Sequence, residues 1–255
     1  MTLQERWAQD DDCFHLDVPE GWAQGRSVFG GLTVALGAAL GARLCSRRLR
    51  TVQAQLLGPV APGRLTGHAR VLREGKTTTF VQVELSQESK IRAQVSLVFI
   101  QGRERSIRID GPAAPEWPEA TTLPKMPFVP GLTPEFTSKA DFYFAEGTVP
   151  FQSGPDARLG GYIQFKDTAG ASPAELQLML LDAWPCPSIL RLSAPAFAST
   201  VTWTAHLLGD SAPGFHRFSY ETLAGNDGFS TALGHMWDSE GKHVAVTEQT
   251  VVVFD

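Results

Sequence analysis

The stretch FGGLTVALGAALGARLC, residues 29–45, decides the architecture. It is apolar on every side and carries Gly30, Gly31, Gly37 and Gly41, with Arg43 as its one charge. A helix of this kind offers no face to water, so it must be enclosed, and its glycines let neighbouring backbone approach closely. The uncharged run 28–42 falls short of the roughly 20 residues that span a bilayer. Strand-like segments follow at 51–60, 64–72, 77–86 and 91–101, with Pro62-Gly63 and Glu74-Gly75 at two of the turns. One buried helix and four strands predict an antiparallel sheet wrapped around the helix.

Outward from this block the order repeats. Segments 139–145 and 159–166 read as strands, and Ser172-Pro173-Ala174-Glu175 is a capping box with proline at the first helical position. Leu176, Met179, Leu180 and Ala183 form an apolar face at helical spacing, and Pro185 and Pro187 end the helix. Strands are predicted again at 200–208, 215–223, 229–238 and 243–254. Seven of the 17 prolines fall between Pro112 and Pro134, which excludes a continuous regular element and predicts a linker. The expected organisation is residues 1–110, a proline-rich linker at 111–136, and residues 137–255, each outer part a helix wrapped by an antiparallel sheet in an α+β fold. The last strands can be overlaid: Gln94 and Gln249 each stand five residues before a phenylalanine, Phe99 and Phe254.

The net charge of −5 argues against nucleic acid as a partner, which needs a basic face, while leaving room for a local basic pocket. Cys13, Cys45 and Cys186 are scattered and odd in number, as expected of a reduced cytoplasmic protein. The acidic N-terminal residues lack the pattern of a secretory signal. No membrane partner is expected. No histidine or cysteine spacing matches a metal site, and no metal or other cofactor is expected.

Several short pieces resemble the acyl-CoA thioesterase II (TesB-like) family of double-hotdog enzymes. They are Ser27-Val28-Phe29-Gly30-Gly31, Leu72-Arg73-Glu74-Gly75, Leu180-Leu181-Asp182, Ser199-Thr200-Val201-Thr202 with His206 downstream, and Val244-Ala245-Val246-Thr247-Glu248-Gln249. They run in the family's order from about residue 27 to the end. The resemblance implies a tandem hotdog fold, an acyl-CoA substrate, hydrolysis of its thioester to free acid and CoA, and a catalytic set of Asp182, Thr200 and Gln249. Association into a homo-oligomer is expected because the sheets present edges and faces.

Read by themselves, these residues leave alternatives open. Asp182 follows the almost wholly apolar run 176–181 at a helix C-terminus, where the helix dipole disfavours negative charge, so it either reaches solvent or is kept for chemistry. Thr200, Thr202, Thr204 and His206 alternate along one predicted strand; a threonine-rich face is ordinarily solvated, and a one-residue slip would exchange Ser199 for Thr200. Gln249 fits an outward strand position as well as an inward one. Gly30 and Gly31 offer backbone N–H groups for an oxyanion at a helix start, or serve close packing alone. The first helix has no carboxylate, which predicts one active site per chain.

Other chemistries fail on spacing. Glu74-Gly75-Lys76-Thr77 lacks the upstream glycine of a phosphate-binding loop, since Arg70 stands there. No serine has the flanking glycines of a nucleophile elbow, and Cys186 has no histidine partner in sequence. A hydratase would pair its carboxylate with a nearby histidine, and none lies between Asp182 and His206. A non-catalytic acyl-ligand-binding protein of the same fold is the remaining alternative to a thioesterase.

Overall fold

The computed structural model describes residues 1–103, 109–148 and 150–254. A short helix α1 (Leu3–Arg6) and strands β1 (Ala8–Asp10) and β2 (Cys13–Val18) precede a small hairpin, β3 (Ala23–Gln24) with β4 (Ser27–Val28). Helix α2 (Gly30–Ala42) follows, then β5 (Arg48–Leu56), β6 (Gly63–Glu74), β7 (Thr78–Gln87) and β8 (Lys90–Ile100). The second half holds β9 (Ala140–Glu146), β10 (Arg158–Phe165), α3 (Pro173–Asp182), β11 (Phe197–Leu207), β12 (His216–Asn226), β13 (Phe229–Trp237) and β14 (His243–Phe254).

Every residue of α2 from Gly31 to Gly41 is buried. A Cβ at Gly37 would come within 3.1 Å of Val95 on β8, and one at Gly41 would run into Leu97, so the glycines set how closely helix and sheet approach. Leu32, Leu36 and Leu40 are wholly buried, each stabilising the enclosure by about 2 kcal/mol relative to exposure. Helix α3 begins with the expected capping box: Ser172 N–H donates to Glu175 Oε2 at 2.6 Å and Glu175 N–H to Ser172 Oγ at 3.5 Å.

Apart from the β3–β4 hairpin, the described strands form one antiparallel twelve-stranded sheet in the order β1-β2-β6-β7-β8-β5-β11-β14-β13-β12-β10-β9. The halves join edge to edge through β5 and β11, with Thr202 opposite Gln55 and His206 opposite Thr51. α2 packs on β5 to β8, α3 packs on β10, β11 and β14, and the two helices pack on one another. This is the tandem hotdog, α+β, that the sequence predicts.

Four expectations need correction. The sequence reading gives residues 1–26 no element, yet β2 is a full strand paired with β6, its Phe14, Leu16 and Val18 turned inward. Its alternation is only six residues long and adjoins Asp10-Asp11-Asp12, so the charge hides it. The proline-rich stretch is no free linker: Met126 N–H donates to Phe142 O and Phe144 N–H to Pro124 O, both at 3.0 Å, which straps it along β9. It also contains the short 3-10 turn Ala120–Thr122 and the start of another, Glu135–Lys139.

The overlay of the two final strands is off by one residue. Gln94 lies on the outer face near Glu84, whereas Gln249 is buried and faces inward. Finally, Thr200 does not share a face with Thr202, Thr204 and His206. The pairing of β11 with β14 slips between Thr200 and Thr202, leaving Val201 as an extra residue. Trp203, Ala205 and Leu207 point to the core, Thr202, Thr204 and His206 point outward, and the bulge returns Thr200 to the inner side.

Candidate active site

Asp182 ends α3 and meets the first turn of α2. A Cβ on Gly30 would lie 2.7 Å from Asp182 Oδ2, and the Gly31 backbone N–H acts on the carboxylate as a donor. The carboxylate therefore stands between two helix termini of opposite polarity: the end of α3 opposes its charge, and the start of α2 supports it. Although the residue keeps some exposed surface, its carboxyl group is sunk in the protein, and burial raises its pKa to about 7. Hydrogen bonds from Gln249 and Gly31 N–H offset part of that rise.

Gln249, on β14, connects the set. Its Nε2 donates to Asp182 Oδ1 at 2.8 Å, and its Oε1 accepts from Thr200 Oγ1 at 3.1 Å. A third contact was not foreseen: Tyr220 OH donates to the same Oε1 at 3.0 Å. Tyr220 is 1% exposed, and burial holds its hydroxyl well above the usual tyrosine pKa. The sequence carried a signal for it. His216, Phe218 and Tyr220 alternate inward on β12, and a phenol on an apolar face needs a partner for its O–H.

Trp203 stands opposite Gln249 on β11 and donates from Nε1 to Thr247 Oγ1 at 2.5 Å. Cys186 Sγ lies 3.3 Å from Ser188 Oγ and 3.6 Å from Ser230 Oγ. The structure thus brings Asp182, Thr200, Gln249, Gly30 and Gly31 into one place and leaves Ser199 exposed. The Gly31 N–H acts on Asp182, and the Gly30 N–H has no hydrogen-bond partner among the described residues. His206 lies across the sheet on its outer face, its Nδ1 3.2 Å from Thr51 Oγ1. A carboxylate at the pH where it ionises, an amide and a hydroxyl form a set suited to orienting and deprotonating a water. Among the described residues no group of three or more His, Cys, Asp or Glu side chains could hold a metal ion.

Residues 115–253 match the model of the acyl-CoA thioesterase C-terminal domain, and residues 18–100 match that of the acyl-CoA thioesterase N-terminal domain. The chain belongs to the acyl-CoA thioesterase family. It is a thioester hydrolase. The thioesterase also shares its fold with solved structures. A protein described as a thioesterase II from Thermobifida fusca YX superposes with a TM-score of 0.85 at 21% identity, over 99% of both chains. A hotdog protein of unknown function from Alicyclobacillus acidocaldarius gives a TM-score of 0.86 at 17% identity, over 100% of this chain and 99% of the other. The tesB protein of Mycobacterium avium subs. paratuberculosis gives 0.80 at 15% identity, over 100% of this chain and 97% of the other. No curated protein matches the thioesterase in sequence. Among the described residues no helix is long and apolar enough to cross a membrane.

Proposed function

We propose that the thioesterase hydrolyses an acyl-CoA thioester to the free acid and CoA with a water activated at Asp182 and held by Gln249 and Thr200. The observation that carries this reading is the contact chain in which Gln249 donates to Asp182 and accepts from Thr200, so that one amide fixes the carboxylate and the hydroxyl together. Asp182, as carboxylate, takes a proton from the water as its oxygen attacks the thioester carbon. The Gly30 N–H at the start of α2 supplies a donor for the oxyanion that forms. The tetrahedral intermediate then collapses, breaking the C–S bond and expelling CoA as its thiolate, which takes back the proton held by Asp182.

A pH dependence follows. The base must be ionised, and burial places its pKa at about 7. The plot of kcat/KM against pH is expected to rise through an apparent pKa near 7, falling about tenfold per pH unit below it. A rate that is flat from pH 5 to 9 would exclude Asp182 as the base. Thiol release from a series of acyl-CoA esters, followed with a thiol-reactive dye, measures both the profile and the acyl preference.

Gly30→Ala supplies a second test. The added Cβ would lie 2.7 Å from Asp182 Oδ2 and 3.3 Å from Leu56 Cδ1, so the carboxylate must move. A displaced base costs on the order of 10²-fold for a shift of about 1 Å. The expected result is a large fall in kcat with an unchanged far-ultraviolet spectrum. Full activity in this variant would show that the carboxylate position is not critical.

A further inference from the structure

We infer that Tyr220 is a positioning residue that fixes which end of the Gln249 amide faces Asp182. The inference rests on the role proposed for Asp182 and Gln249, and follows from counting protons. An amide can be turned over so that its C=O and NH₂ ends exchange places, and both hydroxyls at its outer end can donate or accept. Thr200 does not decide between the two arrangements. It is partly exposed, so if the NH₂ group faced it, its own proton could go to water. Tyr220 is 1% exposed, and Gln249 Oε1 is its hydrogen-bond acceptor among the described residues. Turning the amide over would leave the phenolic proton buried and unpaired, at a cost of about 1–3 kcal/mol, and would press a carbonyl against the Asp182 carboxylate. Burial keeps the phenol protonated throughout the working range, so it remains a donor.

The consequence reaches Asp182. An N–H directed at a carboxylate favours the ionised form, whereas a C=O there favours the protonated acid. Tyr220, two contacts away, thereby sets the pH above which the base is available. The other groups around the site do not supply this control. α2 contributes no titratable side chain, and Glu221 of β12, His235 of β13, Glu248 of β14 and His206 of β11 lie off the inner face; the inward His216 of β12 is engaged by Ser211 and Gly214, and Glu175 of α3 caps Ser172 at the opposite end of that helix from Asp182. Cys186, beyond the end of α3, is the remaining titratable group near Tyr220. Among the described residues Asp182 has no ion pair with lysine, arginine or histidine.

The test is a direct titration of Asp182 by carbon NMR of protein labelled at aspartate carboxyls, with Asp182→Asn used to assign the resonance. In Tyr220→Phe the Asp182 pKa is expected to rise by about one unit or more, and the acid limb of kcat/KM to move with it, so that activity recovers towards wild type near pH 9. An unmoved titration with an even loss of activity at all pH values would mean that the hydroxyl only supports packing, and would overturn the inference. In a Gln249→Leu background, Tyr220→Phe should move Asp182 no further; a second shift of similar size would mean that Tyr220 acts on the carboxylate directly, which also overturns it. Thr200→Ala gives a reading independent of whether Tyr220→Phe folds: the Asp182 pKa should stay within about half a unit, and a shift of a full unit would transfer the orienting role to Thr200. The NMR titration needs no turnover. If wild-type protein releases no thiol from any acyl-CoA while Asp182 still responds to Tyr220→Phe, the proposed reaction fails and the orienting role stands.

Discussion

Asp182→Asn is expected to lower kcat/KM for thioester hydrolysis by about 10²-fold or more, the scale of losing a positioned general base, and to remove the dependence on a group of pKa near 7. Stability should hold or rise. A carboxyl whose pKa is raised from 3.8 unfolded to about 7 folded binds its proton more tightly in the native state, so the native protein loses stability as pH climbs between those values. At pH 8 that loss reaches at most about 4 kcal/mol, and asparagine carries none of it. Thermal melts of both proteins at pH 5 and pH 8 decide the matter: the variant should gain on wild type as pH rises. A variant that melts far below wild type at both pH values would identify Asp182 as structural.

Gln249→Leu is the second change of large effect, with an expected loss of about 10²–10³-fold near neutral pH, comparable to removing a preorganised donor from an active site. Its signature differs from that of Asp182→Asn. The carboxylate loses its 2.8 Å donor, so its pKa moves upward and part of the activity returns in alkaline buffer. Tyr220 also loses its acceptor, and leaving that hydroxyl buried without a partner costs about 1–3 kcal/mol of stability. Wild-type activity in this variant would remove the glutamine from the proposed mechanism.

Both experiments concern residues that the sequence brings to notice for different reasons. Asp182 is visible by itself, because a carboxylate closing the almost wholly apolar run 176–181 breaks the local pattern. The helices and most strands are likewise visible in period and punctuation, since burial of one face imposes them. Thr200 and Gln249 owe their notice to the family resemblance. The alternation that ties Thr200 to Thr202 is interrupted by the Val201 bulge, and a bulge is a matter of pairing between distant strands that one strand's residues do not announce. The overlay of Gln94 on Gln249 fails for a related reason: apolar strands of similar length match in two registers, and only the partner strands choose between them. Tyr220 was legible as an inward position but not as a contact, because its partner lies 29 residues away on β14.

The joint between β5 and β11 reaches beyond architecture. The carboxylate belongs to the second half of the chain, but the backbone N–H at Gly31 belongs to the first, and the strand carrying Thr200 is zipped to a first-half strand along Thr202 to His206. The first half, with no carboxylate in its helix, stands to the second as a permanently attached partner subunit. Severing the chain in the proline-rich stretch would therefore not yield a smaller enzyme: the second half would keep Asp182, Thr200 and Gln249, yet lose the helix start that steadies the charge and gain an open β11 edge ready to pair with another copy of itself.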